Sequence, residues 1–161
     1  MTPPETLISP AKRVMALTDP TKKMSKSNVN PKSKILLTDS EAEIRNKLKT
    51  AVTDSFEGIT YEPERRPGVS NLIDLLYHSD EAAGSDSQEA LAKDLGNISL
   101  RVLKDWVAEA VEKQVRPVRE RYAEVISDRE LLDQAAHQGA QQATKSAEGT
   151  LTKVKRAIGF V

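Results

Sequence analysis

The segment Lys23–Ser27, called the clamp segment below, brings two ammonium groups and two hydroxyl groups together within five residues. Such a set suits a polyphosphate, because ammonium groups form charge-assisted hydrogen bonds with phosphate oxygens. When a carboxylate attacks the α-phosphate of ATP, negative charge builds on the departing pyrophosphate, and cations held against that group lower the barrier. The segment therefore predicts a clamp for a leaving group, on a loop that closes for chemistry and opens for release.

The pentapeptide alone also has a second interpretation. Lysine and serine make up ordinary solvated loops, and short basic patches serve as sorting signals, so the five residues do not decide between these and a phosphate clamp. A loop is expected in each case. The stretch Thr21–Ser33 is polar and has almost nothing to bury, so we expect a mobile surface loop there.

Apolar segments on both sides would position this loop. Arg13–Leu17 is a short apolar run, and Asp19 and Pro20 after it form a strong turn signal, so a buried strand is predicted. The strand either packs against helices as an extended segment or belongs to a parallel sheet whose other strands lie outside this sequence. Ile35–Leu37 then returns the chain to the core.

Most of the remaining sequence predicts helices. Ala, Leu, Glu, Lys and Gln dominate its second half, and all five are good helix formers. Ser40 and Glu43 have the spacing of a capping box, which predicts a helix over Glu41–Asp54. Phe56–Gly68 contains proline, glycine and alternating charges, which indicates a loop leading into a second helix.

Three further helices are expected beyond a tolerant surface insertion at Ser79–Ser87. The first is short and ends at Gly96-Asn97, residues that accept a left-handed conformation. The second has a long apolar pattern from Ile98, and Pro117 should kink it. The third begins at a capping box, Ser127–Glu130, and its small residues permit close helix approach. Trp106, on the long helix, is expected in the core rather than as a platform for nucleic-acid bases.

Charge and composition exclude several kinds of site. The net charge is zero, so a polyanion site must come from local clusters, and residues 1–40 are rich in lysine and arginine. Without cysteine there are no disulfides and no thiolate metal sites. His78 and His137 lack acidic company, so no metal site is expected. Residues 1–10 lack the apolar run of a signal peptide and no stretch could cross a bilayer, which predicts a soluble intracellular chain.

Several blocks of the sequence together resemble one family. Val14–Ser27, Pro31–Ser40, Ala51–Ser55 and Arg66–Leu72 are similar, in this order, to blocks of the class I tryptophanyl-tRNA synthetases of the bacterial and mitochondrial type. The similarity extends through Val115–Tyr122 to the end of the chain. Tyrosyl relatives share the KMSKS motif of the clamp segment but not the third and fourth blocks, so the resemblance favours tryptophan.

The resemblance implies a mostly α fold, in which a C-terminal helical bundle follows the KMSKS loop and the last strand of a class I Rossmann-like α/β catalytic domain. Residues 1–67 would be the end of that catalytic domain, and residues 68–161 a helical domain that contacts the anticodon end of tRNA. The family's other signature, His-any-Gly-His, is absent from this sequence. We therefore expect a fragment, a truncated gene model or one part of a split enzyme.

The implied activity is that of a tryptophan–tRNA ligase in protein biosynthesis, which uses ATP with Mg²⁺, tryptophan and tRNA(Trp). Lys23 and Lys26 would be catalytic and, with Ser25, would contact the ATP phosphates, while Met24 and Ser27 would anchor the loop within the ATP site. The family is dimeric, and its members lie in the mitochondrial matrix or the bacterial cytoplasm. The alternative is a non-catalytic helical module that binds tRNA or a partner half.

Two further features bear on this interpretation. The family often has an aspartate soon after the motif, where this chain has Asn28, so the electrostatics of the loop's hinge differ. Two basic clusters, one beside Pro117 and one along the last helix, could face tRNA phosphates, although each could also be a charged solvated surface. Their members are Arg116, Arg119, Arg121, Lys145, Lys153, Lys155 and Arg156.

Overall fold

The structure, a computed structural model, describes residues 5–6, 13–79 and 84–160, and most of them are helical, which confirms the mostly α class. Expectations about residues 1–4, 7–12 and 80–83, at the N-terminus and within the insertion, lie outside the described residues. The elements of the described part are β1 (Met15–Ala16), β2 (Asp19–Lys23), a 3₁₀ turn (Pro31–Ser33), α1 (Glu41–Lys49), α2 (Pro67–Ser79), α3 (Gln88–Leu95), α4 (Leu100–Ser127) and α5 (Arg129–Ala157).

The predicted capping box opens α1. The Glu43 amide donates to the Ser40 hydroxyl at 3.3 Å, and the Ser40 amide donates to the Glu43 carboxylate at 2.8 Å. Two amides that the helix leaves unpaired are thereby satisfied. The helix ends before the expected Asp54, because the Val52 amide donates to the Leu17 carbonyl at 2.8 Å instead of continuing the helical ladder.

Local signals also located α2 and α3. The loop predicted over Phe56–Gly68 is confirmed as far as Arg66, and α2 begins at Pro67, whose missing amide hydrogen costs nothing in a first helical turn. At α3, the Ser87 hydroxyl accepts a hydrogen bond from the Ala90 amide at 3.2 Å. The helix ends at Gly96, whose φ of 53° favours glycine.

The described residues form two compact units, Met1–Arg119 and Glu120–Val161. In the first unit, one hydrophobic core joins α1, α2, α3 and α4 with the turn after β1. Each helix contributes residues three and four apart, as an amphipathic helix does when it buries one face. Its fully buried large side chains are Leu17, Ile44, Leu48, Val69, Leu72, Ile73, Leu103 and Val107.

The strand expected at Arg13–Leu17 is present, but its pairing was not anticipated. β1 pairs antiparallel with β2, so both predicted settings, an extended segment on helices and a strand of a parallel sheet, missed this partner. Asp19 and Pro20 open β2 instead of ending a strand. In a two-stranded sheet every strand is an edge strand, which is where proline is tolerated. The wider Rossmann-like sheet stays a prediction.

The loop expected over Thr21–Ser33 is more ordered than predicted. Its first three residues belong to β2 and its last three form the 3₁₀ turn. Ser33 is buried, and its hydroxyl donates to the Asn30 carbonyl at 2.7 Å. The stretch without regular structure is therefore Met24–Asn30, which contains most of the clamp segment.

The two long helices follow their predicted order. α4 runs through Pro117 without interruption, and the expected kink stays a prediction. The capping residue of α5 is Asp128 rather than Ser127, since the Leu131 amide donates to the Asp128 carboxylate at 3.0 Å. No residue of α5 is buried, so the helical bundle and the domain boundary predicted after residue 67 stay predictions. Among the described residues, no helix combines the length and apolarity that a membrane crossing requires.

Candidate functional site

The clamp segment begins at the end of β2 and exposes its polar residues. Both lysines and both serines of Lys23–Ser27 are exposed. Met24 differs, because its side chain packs against the hydrophobic core and its amide donates to the Val14 carbonyl at 2.9 Å. The one apolar residue thus attaches the segment to the protein while its neighbours remain in contact with solvent.

Hydrogen bonds within the loop give it a defined shape. The hydroxyl oxygens of Ser25 and Ser27 are 3.0 Å apart, and the Asn28 amide donates to the Ser25 carbonyl at 3.2 Å. The ammonium group of Lys34 donates to the carbonyl oxygens of Lys26 at 2.7 Å and Asn28 at 2.6 Å. A charged donor on two carbonyls restrains the loop strongly and adds a third positive charge beside it.

The ammonium groups of the clamp segment have no carboxylate partner among the described residues. In the part of the chain that the structure describes, no ion pair includes Lys23 or Lys26. Lys22 instead pairs with Asp19 at 2.8 Å, and hydrogen bonds from Lys22 and Thr21 lower the pKa of Asp19 to about 2. The nearby carboxylate therefore stays ionised against Lys22, and the two clamp lysines can meet an anion from solution.

Backbone hydrogen bonds fix the base of the loop. The Leu17 amide donates to the Ser33 carbonyl at 3.0 Å, and the Leu17 carbonyl accepts from the Val52 amide at 2.8 Å. Leu17 is also buried in the core. The turn before β2 and the chain leaving the loop are thus tied to each other and to the interior.

Helix α2 contributes a side chain that pairs with the backbone of β1. Asn71 is only 3% exposed; its Oδ1 accepts from the Met15 amide at 3.0 Å and its Nδ2 donates to the Met15 carbonyl at 3.2 Å. A carboxamide offers both a donor and an acceptor, so it can occupy the place of a neighbouring strand. Near it, a Cβ on Gly68 would lie 2.2 Å from the Val52 carbonyl oxygen, so only glycine fits.

Arg66 organises the segment before α2. Its buried guanidinium forms a two-point ion pair with Asp54, at 3.0 and 2.8 Å. It also donates to the carbonyls of Gly58 at 3.1 Å and Phe56 at 3.2 Å and to the Thr60 hydroxyl at 2.9 Å. The hydrogen bonds from Arg66 lower the pKa of Asp54. The sequence blocks that hold Asp54 and Arg66 therefore meet in space.

Sequence reasoning did not single out Asn71, Arg66 or Lys34 as parts of the site. Asn71 and Arg66 entered the sequence analysis only as members of a block that resembles the synthetase family. Their partners Met15 and Asp54 lie 56 and 12 residues away. Hydrophobic periodicity shows which face of a helix is apolar, but it does not show which polar side chain bridges two elements. The only available signal was a polar residue, Asn71, among the apolar positions of a predicted helix.

The basic residues proposed as tRNA contacts have different surroundings. Arg119 donates to the Glu112 carboxylate at 2.5 and 3.1 Å and to the Asp39 carbonyl at 2.7 Å, so its guanidinium is held within the first unit. Arg116 is exposed, and Arg121 makes an exposed ion pair with a glutamate three residues on. The four α5 residues proposed as tRNA contacts are exposed, and no ion pair among the described residues includes them; they are Lys145, Lys153, Lys155 and Arg156.

The expectation for Trp106 is wrong, because its side chain is 46% exposed. It precedes the fully buried Val107, and one helical step of about 100° turns the indole to the edge of the buried face. There it lines a cleft of about 440 Å³ together with Leu76, Leu95 and Ala110.

The two histidines have ordinary neighbours. The His78 ring meets the Tyr77 ring edge to face, with centroids 5.1 Å apart, and His137 hydrogen bonds with Gln141 at 2.9 Å. In the described residues, no group of three or more histidine, cysteine, aspartate or glutamate side chains could hold a metal ion.

Comparison with known proteins gives consistent matches. A family model described as class I tRNA synthetases (W and Y) matches residues 1–116. The mitochondrial tryptophan–tRNA ligase of Schizosaccharomyces pombe is 36% identical over 160 residues, covering 99% of this chain and 43% of that protein. The tryptophan–tRNA ligase of Halalkalibacterium halodurans is 40% identical over 150 residues, covering 92% of this chain and 43% of that protein.

Solved structures agree with these matches. The tryptophanyl-tRNA synthetase of Mycoplasma pneumoniae superposes with a TM-score of 0.73 at 29% identity, covering 92% of this chain and 44% of that one. The Campylobacter jejuni enzyme complexed with ADP and tryptophan shares the fold, with a TM-score of 0.65 at 23% identity over 91% of this chain and 43% of that one. The chain spans less than half the length of the relatives that it matches.

Proposed function

Since the chain belongs to the class I tRNA synthetases of the tryptophan and tyrosine group, we propose that it supplies the KMSKS loop and the tRNA-binding helices of a tryptophan–tRNA ligase. Tryptophan is preferred to tyrosine because relatives at 36% and 40% identity are named tryptophan–tRNA ligases. These matches extend over nearly the whole chain and favour the ligase over a non-catalytic helical module.

The observation that carries the proposal is the pair of exposed lysines, Lys23 and Lys26, on a loop whose base is fixed. Their ammonium groups take part in no ion pair of the described residues, whereas Lys22 has its own carboxylate. A rigid base with an exposed cationic tip fits a group that must meet a polyanion in one geometry and then release it.

In the proposed reaction the carboxylate of tryptophan attacks the α-phosphorus of ATP. The bond from that phosphorus to the oxygen bridging to the β-phosphate breaks, and tryptophanyl-adenylate and pyrophosphate form. Lys23 and Lys26 interact more strongly with the charge of the leaving pyrophosphate than with bound ATP, which lowers the barrier. The Ser25 hydroxyl donates to a phosphate oxygen, Met24 and Ser27 hold the loop, and Mg²⁺ enters with ATP as its complex.

In the second step a terminal ribose hydroxyl of tRNA(Trp) attacks the carbonyl carbon of tryptophanyl-adenylate; the ester bond to tRNA forms, the bond to the phosphate oxygen breaks, and AMP leaves. The exposed cations of α4 and α5 would bind the tRNA phosphates, and Arg119, held by Glu112, would contribute mainly to stability. We further propose that the complete enzyme is a homodimer. Mitochondrial and bacterial proteins are both among the relatives, so the mitochondrial matrix and the bacterial cytoplasm are the proposed compartments.

The test replaces Lys26 with alanine. A chimera in which this chain replaces the matching part of the Halalkalibacterium halodurans enzyme is assayed for tryptophan-dependent exchange of pyrophosphate into ATP. Lys26→Ala should lower the exchange rate on the order of 100-fold, as expected for losing a group that binds the transition state. The matched control is Lys32→Ala, an exposed lysine outside the clamp segment. Wild-type exchange in Lys26→Ala would contradict the proposal.

A further inference from the structure

We infer that Asn71 is a positioning residue for the clamp segment, setting the placement of Lys23 through the backbone of Met15. The inference rests on the proposed function. Asn71 touches neither lysine. It acts through β1, whose Met15 lies opposite Lys23 in the register of the sheet.

The two-stranded sheet that leads into the clamp segment is too small to be stable without contacts to the rest of the protein. β1 has two residues and β2 has five. An isolated two-stranded hairpin is marginally stable in water, so the lysine at its end needs an attachment to the protein interior. Asn71 supplies that attachment, because its amide group bonds both polar backbone groups of Met15.

The hydrophobic core holds the residue that forms these two hydrogen bonds in place. Asn71 is buried on α2, a helix whose Val69, Leu72 and Ile73 belong to the hydrophobic core. The contact between Gly68 and the Val52 carbonyl joins the same helix turn to the segment that bonds Leu17. Position is therefore transmitted from a rigid helix to Met15 and then across the sheet to Lys23.

Loss of the carboxamide would leave the amide and carbonyl of Met15 without these partners. A buried unpaired backbone group is costly, so β1 would shift toward water or other partners. A shift of about 1 Å in a catalytic group can lower a rate by roughly 100-fold. Substitution of Asn71 should therefore act on the chemical step rather than on substrate binding.

The experiment compares Asn71→Ala and Asn71→Asp in the same chimera. Asn71→Asp keeps the shape and the acceptor but loses the donor to the Met15 carbonyl. Both variants should lower kcat for pyrophosphate exchange by about 10- to 100-fold with KM for tryptophan within about twofold of the parent. The matched control is Val107→Ala, which removes core packing far along the chain from the clamp segment and should leave kcat per folded molecule unchanged.

A second measurement does not depend on activity. In this chain alone, amide NMR shifts of Met24–Asn28 should move in Asn71→Asp and stay in place in Val107→Ala. Parental kcat in both Asn71 variants, or unmoved loop shifts in Asn71→Asp, would overturn the inference. Absence of exchange in the chimera with the unchanged chain would instead count against the proposed function, and the loop shifts would still decide the role of Asn71.

Discussion

At the scale of single residues, buried polar side chains hold the irregular segments that connect helices and strands. Arg66 is the strongest case, because its side chain is 2% exposed and pairs with Asp54. Arg66→Ala leaves that carboxylate unpaired, so the free energy of unfolding should fall by about 3–5 kcal/mol. Urea denaturation measures it.

The control for Arg66 is its exposed neighbour. Arg65 contacts Glu62 at 3.4 Å in an ion pair that solvent screens, so Arg65→Ala should cost less than about 1 kcal/mol. Similar losses for the two variants would show that burial of the Arg66 ion pair does not govern stability here.

The pairing of Asp54 also predicts a pH dependence. Its folded-state pKa lies below the unfolded value of about 3.9, so the stability from the ion pair is fully present above that value. It is lost as the pH falls through the folded pKa. Thermal unfolding of the parent should therefore lose more stability below about pH 4 than unfolding of Asp54→Asn, which has no carboxylate there to protonate. Parallel curves would contradict this account.

Asp74 should behave in the opposite way. Burial raises its pKa, so the folded state holds the proton more tightly than the unfolded chain does. Stability from this group is fully present below the unfolded pKa and is lost as the pH rises through the folded pKa. Replacing the carboxylate with an uncharged carboxamide should remove this loss.

Asp74→Asn retains an oxygen that can accept from the Tyr61 hydroxyl, which now donates at 3.0 Å. The variant should unfold at a higher temperature than the parent at pH 7, and the difference should shrink toward pH 4. Thermal unfolding at the two pH values tests this prediction. An increase in melting temperature that is the same at both pH values would mean that burial of the Asp74 charge is not its cause.

At the scale of elements, local sequence signals predicted helix starts well. The Ser40 and Glu43 box and the Gly96 stop each involve residues three or four positions apart, and both appear where expected. The end of α1 was mispredicted because a distant partner, the Leu17 carbonyl, takes the Val52 amide. The hairpin was missed for a different reason, because Asp19 and Pro20, which begin β2, were interpreted as a turn signal that ends a strand.

The same division holds for the candidate site. The clamp segment is visible as a sequence because its cationic and hydroxyl groups are contiguous. Its supports are not visible, because Asn71 and Met15 come together only when α2 packs beside β1. Residue types in the sequence identify the side chains that could bind a ligand. They do not identify the side chains that position those ligand-binding residues.

Substitution of two glycines tests the packing assigned to α2 and α5. Gly68→Ala would place a Cβ 2.2 Å from the Val52 backbone oxygen, so α2 must shift, at a cost of about 1–3 kcal/mol. Gly139, inside α5, has no atom within 4 Å of an added Cβ, and alanine there should gain about 1 kcal/mol of helix stability. Denaturation followed by far-UV circular dichroism should give opposite signs, and destabilisation by both would contradict the assignment of α5.

At the scale of the whole molecule, 24 basic and 24 acidic residues cancel, so no overall field draws the chain to a polyanion. Electrostatic attraction of a polyanion must then come from local surfaces where lysine and arginine side chains lack carboxylate partners. Arg119 and Lys22 do not qualify, because Glu112 and Asp19 neutralise them. The second unit offers such a place along α5, where no ion pair among the described residues includes Lys145, Lys153, Lys155 or Arg156.

Binding of tRNA(Trp) by this chain should therefore depend on salt and on the cations of α5. Each phosphate contact releases counterions and adds about 0.7–0.9 to the slope of log affinity against log salt. Replacing the four cations Lys145, Lys153, Lys155 and Arg156 with glutamine should weaken binding and flatten that slope by one to several such increments. The matched control is Lys93→Gln, an exposed lysine on α3 beside acidic residues. An unchanged affinity and slope in the fourfold variant would mean that α5 does not contact the phosphates, and the proposed tRNA surface would have to be sought on α4.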